Sequence, residues 1–179
     1  KILATAGGEF ADKGGASEVK LWDPAEGKEV ASFSGHPAGV DAVAWSPDGK
    51  TLATGCFDKE GGGEVRLWDV AARRLRRVLQ AFTGTVGALA FSPDGRYLAV
   101  GLPAGGPAVL CDAESGEEIA RLDGVDNVRA LAFNPSGTAL AVGSTDKSRA
   151  IFDIPGGPRK PGCKRVEATH GHSRIHALD

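Results

Sequence analysis

An all-β fold made of repeated four-stranded antiparallel units is predicted by three features of this 179-residue sequence. The tripeptide Leu21-Trp22-Asp23 returns as Leu67-Trp68-Asp69 and, in altered form, as Leu110-Cys111-Asp112 and Ile151-Phe152-Asp153; its copies begin 46, 43 and 41 residues apart. A second marker keeps phase with it: Trp45-Ser46-Pro47-Asp48-Gly49, Phe91-Ser92-Pro93-Asp94-Gly95 and Phe133-Asn134-Pro135-Ser136-Gly137. Each marker lies between two short apolar runs. A period of about 40 to 45 residues belongs to a four-stranded propeller blade, so the expected architecture is a β-propeller array of four units.

The elements follow in order from these markers. Proline presets φ at the second turn position, Asp or Ser accepts a local backbone hydrogen bond, and glycine takes the conformation that a side chain obstructs. Each marker is therefore a hairpin turn. The innermost strands, a, are expected over 40–45, 86–91, 128–133 and 175–179. Strands b follow over 51–56, 97–101 and 139–144, with 2–6 as their counterpart at the start. Strands c occupy 18–22, 64–68, 108–111 and 149–152, and strands d about 29–33, 75–79, 118–122 and 164–168. Strands a and b are apolar at nearly every position, as in Val43-Ala44-Trp45 and Leu98-Ala99-Val100, which predicts sheets buried on both faces. Strand d of the second unit carries Arg73, Arg74, Arg76 and Arg77 and reads as an exposed edge, its arginines discouraging further pairing.

Composition sets the class. The net charge is −2, with three cysteines, 26 glycines and no methionine. A chain of this length buries roughly 70% of its unfolded surface, enough for independent folding. No run of 18 or more apolar residues is present, and the N-terminus has neither a basic region nor an apolar h-region. Neither membrane spanning nor export is predicted, and a cytoplasmic location is the weak default. Near-neutral charge argues against a nucleic-acid partner, which calls for a strongly basic face. Cys56 and Cys111 in apolar strands, with Cys163 in a Gly/Pro/Lys segment, fit free thiols.

With the repeat unit in hand, the chain resembles the WD-repeat β-propeller family over essentially its whole length. The resemblance implies a hydrogen-bonded tetrad of His, Ser/Thr, Asp and Trp that ties the inner strands of a blade to its turns. The second unit carries the set His36, Thr54, Asp58 and Trp68. The first has Thr5, Asp12 and Trp22 with no preceding histidine. In the later units Val100 and Val142 replace the hydroxyl, Cys111 and Phe152 replace tryptophan, and Phe82 and Gly124 stand where histidine would be. Apolar packing is expected to replace the polar set there, because exchanging every partner together is nearly neutral.

The repeat phase bears on the ends of the array. Lys1 aligns with Lys50, Arg96 and Thr138, just after the hairpin turn, and 175–179 begins another strand a. The expectation is a single propeller segment over 1–179, with units at about 1–45, 46–91, 92–133 and 134–179. Lacking a methionine start, it is expected to be an excised, processed or engineered segment; because the family's rings generally have more than four blades, a half-propeller cut from a longer protein is favoured. A closed four-bladed ring, with His172 supplying the first blade's histidine, and self-association of two copies into an eight-bladed ring are the alternatives.

No catalytic, cofactor or metal residues are predicted. His170, His172 and His176 lack the companion ligands of a zinc site. The Asp residues of the tripeptides, Asp23, Asp69, Asp112 and Asp153, end strand c before turns and are expected to cap them. The Gly-rich stretches at 13–15 and 60–63 lead into strands and lack a phosphate-loop frame. What remains is the expanded b–c connections, which the resemblance places with the d–a loops on the face commonly used for partners. Phe10, Phe57, Phe82 and Leu102 are the candidate anchors there, with Arg129 and Arg174 among the rim charges. The function expected is a noncatalytic scaffold for a protein or peptide partner, within a larger, bacterial protein. The alternative is the propeller portion of an enzyme or signalling protein whose catalytic residues lie in absent blades or a fused domain. Basic clusters at 73–77 and at Arg159, Lys160, Lys164 and Arg165 read as protected edges.

Overall fold

Four antiparallel sheets, each written consecutively in the chain, make up the computed structural model. It describes residues 1–7, 17–57, 62–79, 82–104 and 106–154, with the backbone alone for 164–170. The first sheet holds β1 (Leu3–Gly7), β2 (Glu18–Asp23) and β3 (Lys28–Phe33). The second holds β4 (Val40–Trp45), β5 (Thr51–Phe57), β6 (Gly63–Asp69) and β7 (Arg74–Val78). The third holds β8 (Ala88–Phe91), β9 (Tyr97–Gly101), β10 (Ala108–Asp112) and β11 (Glu118–Leu122). The fourth holds β12 (Val128–Phe133), β13 (Ala139–Ser144), β14 (Ser148–Asp153) and β15 (Lys164–His170). Strand order within each complete sheet is a-b-c-d, and the fold is all-β, as the repeat predicts. The final expected strand a, 175–179, lies outside the described residues.

The hairpin turns form as their chemistry requires. Ser46 Oγ accepts the Thr51 amide at 2.9 Å and donates to Asp48 at 2.7 Å, and Ser92 does the same with Tyr97 and Asp94. In the third turn Asn134 Oδ1 accepts the Ala139 amide at 2.9 Å. Gly49, Gly95 and Gly137 close these turns at φ of 69°, 74° and 72°, a region open to glycine at no steric cost. At the other end of the blades, Asp23, Asp69 and Asp112 accept backbone amides of the residues that follow them, as in Asp69 Oδ1 with the Ala72 amide at 2.8 Å. The turn-capping reading of those aspartates holds for these three.

Register repeats as faithfully as sequence. The leucine of strand b faces the middle residue of the tripeptide, tryptophan or its substitute, in every sheet: Leu3 opposite Trp22, Leu52 opposite Trp68, Leu98 opposite Cys111 and Leu140 opposite Phe152. In all four sheets the pairing of strand c with strand d shifts at the same place, between the tripeptide's initial two residues. Such bulges bend a strand and increase its twist. The decay of the tripeptide has therefore left the backbone of the unit unchanged.

Sheets stack face to face, with consecutive inner strands adjacent: β1 by β4, β4 by β8, and β8 by β12. Val19, Leu21 and Phe33 of the first sheet pack on Leu52, Cys56 and Trp68 of the second. Val65 and Leu67 pack on Leu98, Val100 and Cys111 of the third. Ala99, Leu110 and Leu122 pack on Leu140, Val142 and Phe152 of the fourth. The prediction of burial on both faces holds for the b strands with a sheet on each side, β5 and β9. It is corrected at the ends of the stack: Leu3 is 56% exposed where its counterpart Leu52 is fully buried, and β12 has several exposed residues. Burying such a leucine contributes about 1.5 to 3 kcal/mol, available only where a neighbouring sheet covers it.

Glycine sets how closely the sheets approach. A Cβ on Gly55 would lie 2.4 Å from Val86 Cγ1 and 3.1 Å from the Val86 carbonyl oxygen. Val86, expected to open strand a of the third unit, instead precedes β8 and is fully buried in that contact.

Candidate functional site

In each complete sheet, strands a and c run away from the end where the b–c and d–a loops lie, and strands b and d run toward it. Backbone hydrogen bonds join the two loop classes there. The Phe57 amide reaches the Gly39 carbonyl at 3.4 Å, and the Val128 amide reaches the Leu102 carbonyl at 3.2 Å. The Thr145 amide donates to the Asn127 carbonyl at 3.3 Å, and Gly63 and Phe82 exchange a pair of backbone bonds. Among the described residues, these bonds brace the loops of neighbouring strands against one another at this end.

Beneath it lies the polar set of the second unit. Trp68 Nε1 donates to Thr54 Oγ1 at 2.9 Å, and His36 Nε2 stands 2.9 Å from the same hydroxyl. The His36 ring is also 5.0 Å from the Trp68 ring, centroid to centroid. Both His36 and Thr54 are buried. Burial, reinforced by the Arg66 guanidinium, lowers the His36 pKa to about 4, against a weaker opposing influence from the Ser17 backbone. Among the described residues no group hydrogen-bonds Nδ1. His36 is thus neutral near pH 7, a packing and hydrogen-bonding group. Asp58, the remaining member of the expected tetrad, lies outside the described residues.

The first unit repeats part of this set: Trp22 Nε1 donates to Thr5 Oγ1 at 2.8 Å, at an exposed position. The third replaces it with carbon and sulfur. Phe82, Val100 and Cys111 share one buried cluster, and in the fourth unit Val125, Val142 and Phe152 do likewise.

This packing corrects two of the candidate anchors. Phe82 is 8% and Leu102 1% exposed, both inside the cluster between the second and third sheets. Their apolar surface is already satisfied by neighbouring blades and is not free to meet a partner. Phe57 is half-buried and lies against Gly39, where an added Cβ would stand 2.6 Å from its ring. Phe10 and Arg174 lie outside the described residues, as do His172 and His176. Arg129 is exposed.

The position of Arg129 has a backbone cause. The pairing of β12 with β13 shifts between Val128 and Ala130, and that of β4 with β5 shifts between Val40 and Ala42. Arg129 and Asp41 are the extra residues of these matching bulges, and both side chains are exposed. Bulges re-aim side chains at the rims of sheets. With Asp126, Asp146 and Lys147, they make the loop end charged.

A second polar arrangement was legible as the i, i+2 pairs Glu64-x-Arg66 and Glu18-x-Lys20 on one strand face, but neither enters the expected site. The Arg66 guanidinium bonds Glu64 and the Gly35 carbonyl, fastening the d–a loop to strand c. In the first unit Lys20 contacts Glu29 at 3.0 Å and Glu18 at 3.5 Å. The Cys56 thiol beside Glu64 and the Cys111 thiol are both pushed up to about 12, chiefly by burial. They are inert as nucleophiles at neutral pH. No group of three or more metal-ligating side chains occurs among the described residues. Nor is any helix there long and apolar enough to cross a membrane.

The family comparison agrees with the four-sheet repeat. The "WD domain, G-beta repeat" family matches residues 27–69, 73–105 and 116–148, more than half of the chain. This chain belongs to the WD-repeat family. Domains of that family are in general noncatalytic scaffolds for protein–protein interaction. Among curated proteins, mouse Coronin-7 is 48% identical over 40 residues and rat Coronin-7 45% over 40. Each match covers 22% of this chain and 4% of the relative. The chain thus spans a small part of these WD-repeat relatives. Both come from mammals, so they lend no support to the expected bacterial origin.

Proposed function

We propose that this WD-repeat segment is a noncatalytic scaffold whose b–c and d–a loops present a charged platform to a protein or peptide partner, within a larger protein. The observation that carries the reading is the matched pair of bulges at Asp41 and Arg129, which turn two charges outward on a platform braced by loop-to-loop backbone bonds. A rigid base reduces the ordering cost of binding. Recognition there rests on charge and hydrogen bonding, with half-buried Phe57 at its margin. Peptides selected from a display library against the chain are expected to lose binding when Arg129→Glu and Asp41→Lys are combined. The same peptides should tolerate Glu26→Lys and Glu114→Lys in the c–d turns at the opposite end. Selected binders indifferent to the loop-end pair would overturn the choice of face.

A second reading has its own observation. Among the described residues β1 pairs with β2 alone, and Ile2 and Leu3 are 44% and 56% exposed at that open edge. We propose that a second copy stacks its fourth sheet there, completing an eight-bladed ring. Light scattering should then give twice the chain mass, reverting to the monomer in Leu3→Asp. A monomer at every concentration for the unmodified chain refutes self-association.

A further inference from the structure

We propose that β7, the outer strand of the second sheet, is a docking edge for an extended acidic peptide that adds to it as a fifth strand. Every residue of β7 is exposed, and among the described residues its only strand partner is β6. The outer row of backbone groups is therefore open to another chain, the condition for strand addition.

Charge selects the occupant. Arg73, Arg74, Arg76 and Arg77 fall within five positions of a chain whose net charge is −2. Among the described residues none of the four is in an ion pair. The other outer strands with described side chains balance their charges: Lys28 pairs with Glu26 at 2.8 Å beside β3, and Arg121 pairs with Glu118 at 2.8 Å in β11. The second sheet thus has an edge of one sign. Protecting an edge from aggregation calls for a charge or two, and does not call for exposed apolar side chains. Yet Leu75 is 39% and Val78 44% exposed on this strand. Arginines interleaved with uncovered aliphatic groups match a peptide in which acidic and apolar residues alternate.

The strip is also narrow. Arg77 Nη1 donates to the Ser115 carbonyl at 2.8 Å, which brings the turn between β10 and β11 alongside. That turn and the start of β11 expose Glu114, Glu117 and Glu118. Acidic groups therefore border the basic strip, leaving room for one extended chain and opposing the broad phosphate array of a nucleic acid. The shift of register between Leu67 and Trp68 leaves Arg76 as the extra residue of a bulge, so the arginines spread along the edge.

The test uses the whole chain and a short fluorescent peptide alternating glutamate with valine, read by polarisation. Binding should weaken by about tenfold or more in Arg74→Glu/Arg76→Glu, whose side chains are exposed and make no ion pair among the described residues, and should fall with added salt. A lysine–valine peptide should not bind. The same acidic peptide with alternate backbone nitrogens methylated should lose binding, because it can no longer donate to the strand edge. Equal binding by the methylated peptide overturns strand addition, and unchanged binding by the double variant overturns the site. Tighter binding of a single-stranded oligonucleotide than of the acidic peptide overturns the choice of occupant. If charge reversal lowers the melting temperature, Arg74→Gln/Arg76→Gln supplies the same comparison in a gentler form.

Discussion

His36 Nε2 and Thr54 Oγ1 stand 2.9 Å apart inside the second blade, and the same oxygen accepts the Trp68 indole N–H at 2.9 Å. One hydroxyl on strand b therefore serves a ring from the d–a loop and a ring from strand c. Either tautomer of the histidine satisfies the contact, since the hydroxyl both donates and accepts.

Removing that hydroxyl strands two buried ring nitrogens. Thr54→Val is expected to destabilise the chain by about 1 to 3 kcal/mol, measured by urea unfolding. The third blade already shows the compensated alternative, with Phe82, Val100 and Cys111 in the same places. Combining His36→Phe, Thr54→Val and Trp68→Cys should cost less than the sum of the three single changes. Strict additivity would show that the three residues do not act as a unit.

The histidine also writes a signature on the pH dependence of stability. Its pKa of about 4 when folded lies below the ordinary value near 6.5, so between those values the unfolded chain binds more protons. Stability from this group is complete above about pH 6.5 and falls as the pH drops toward 4, by about 3 kcal/mol at most. His36→Phe should flatten that part of the stability profile. An unchanged slope between pH 6.5 and 4 in the variant would show that other groups produce it.

Gly55 of the second sheet lies tight against Val86, just before β8. Gly55→Ala places a methyl group 2.4 Å from Val86 Cγ1, with the Val86 carbonyl also too near. Overpacking of this kind costs about 1 to 3 kcal/mol. Adding Val86→Ala should recover part of the loss, and a denaturant series on the single and double variants measures it.

Buried thiols give a kinetic readout. In a Cys163→Ser background, Cys56 and Cys111 should resist iodoacetamide at pH 8 while the chain is folded, since burial holds both near a pKa of 12. Both should react once denaturant is added. Rapid labelling of either in the native chain would show that its sheet opens locally.

Strand positions were legible because their causes are local. The turn chemistry of Ser46 to Gly49 and the apolar runs beside it act over a few residues, and β4, β12 and β13 fall where the runs place them. Asp23, Asp69 and Asp112 cap their turns for the same reason. Burial of loop residues was not legible, because an aromatic or leucine at a loop looks alike in sequence whether a neighbouring sheet covers it or not. Phe82 and Leu102 have the loop positions expected of surface anchors, whereas Val65 and Leu98 of two sheets, with Val86 just before β8, share one buried cluster with them. The bulges that expose Asp41 and Arg129 left no mark in composition, being a property of how two strands pair.

By itself, then, the sequence determined the all-β class, the four-fold repeat, the strand order within each sheet and the decay of the polar set from the second unit to the third. Periodicity and turn residues suffice for these. Only the tertiary structure decided which apolar side chains are spent between sheets and which charges are turned outward. It also decided that Leu3 is exposed where the equivalent Leu52 is not. Those outcomes depend on the sheet packed alongside, and burial is a property of neighbours far away in the chain.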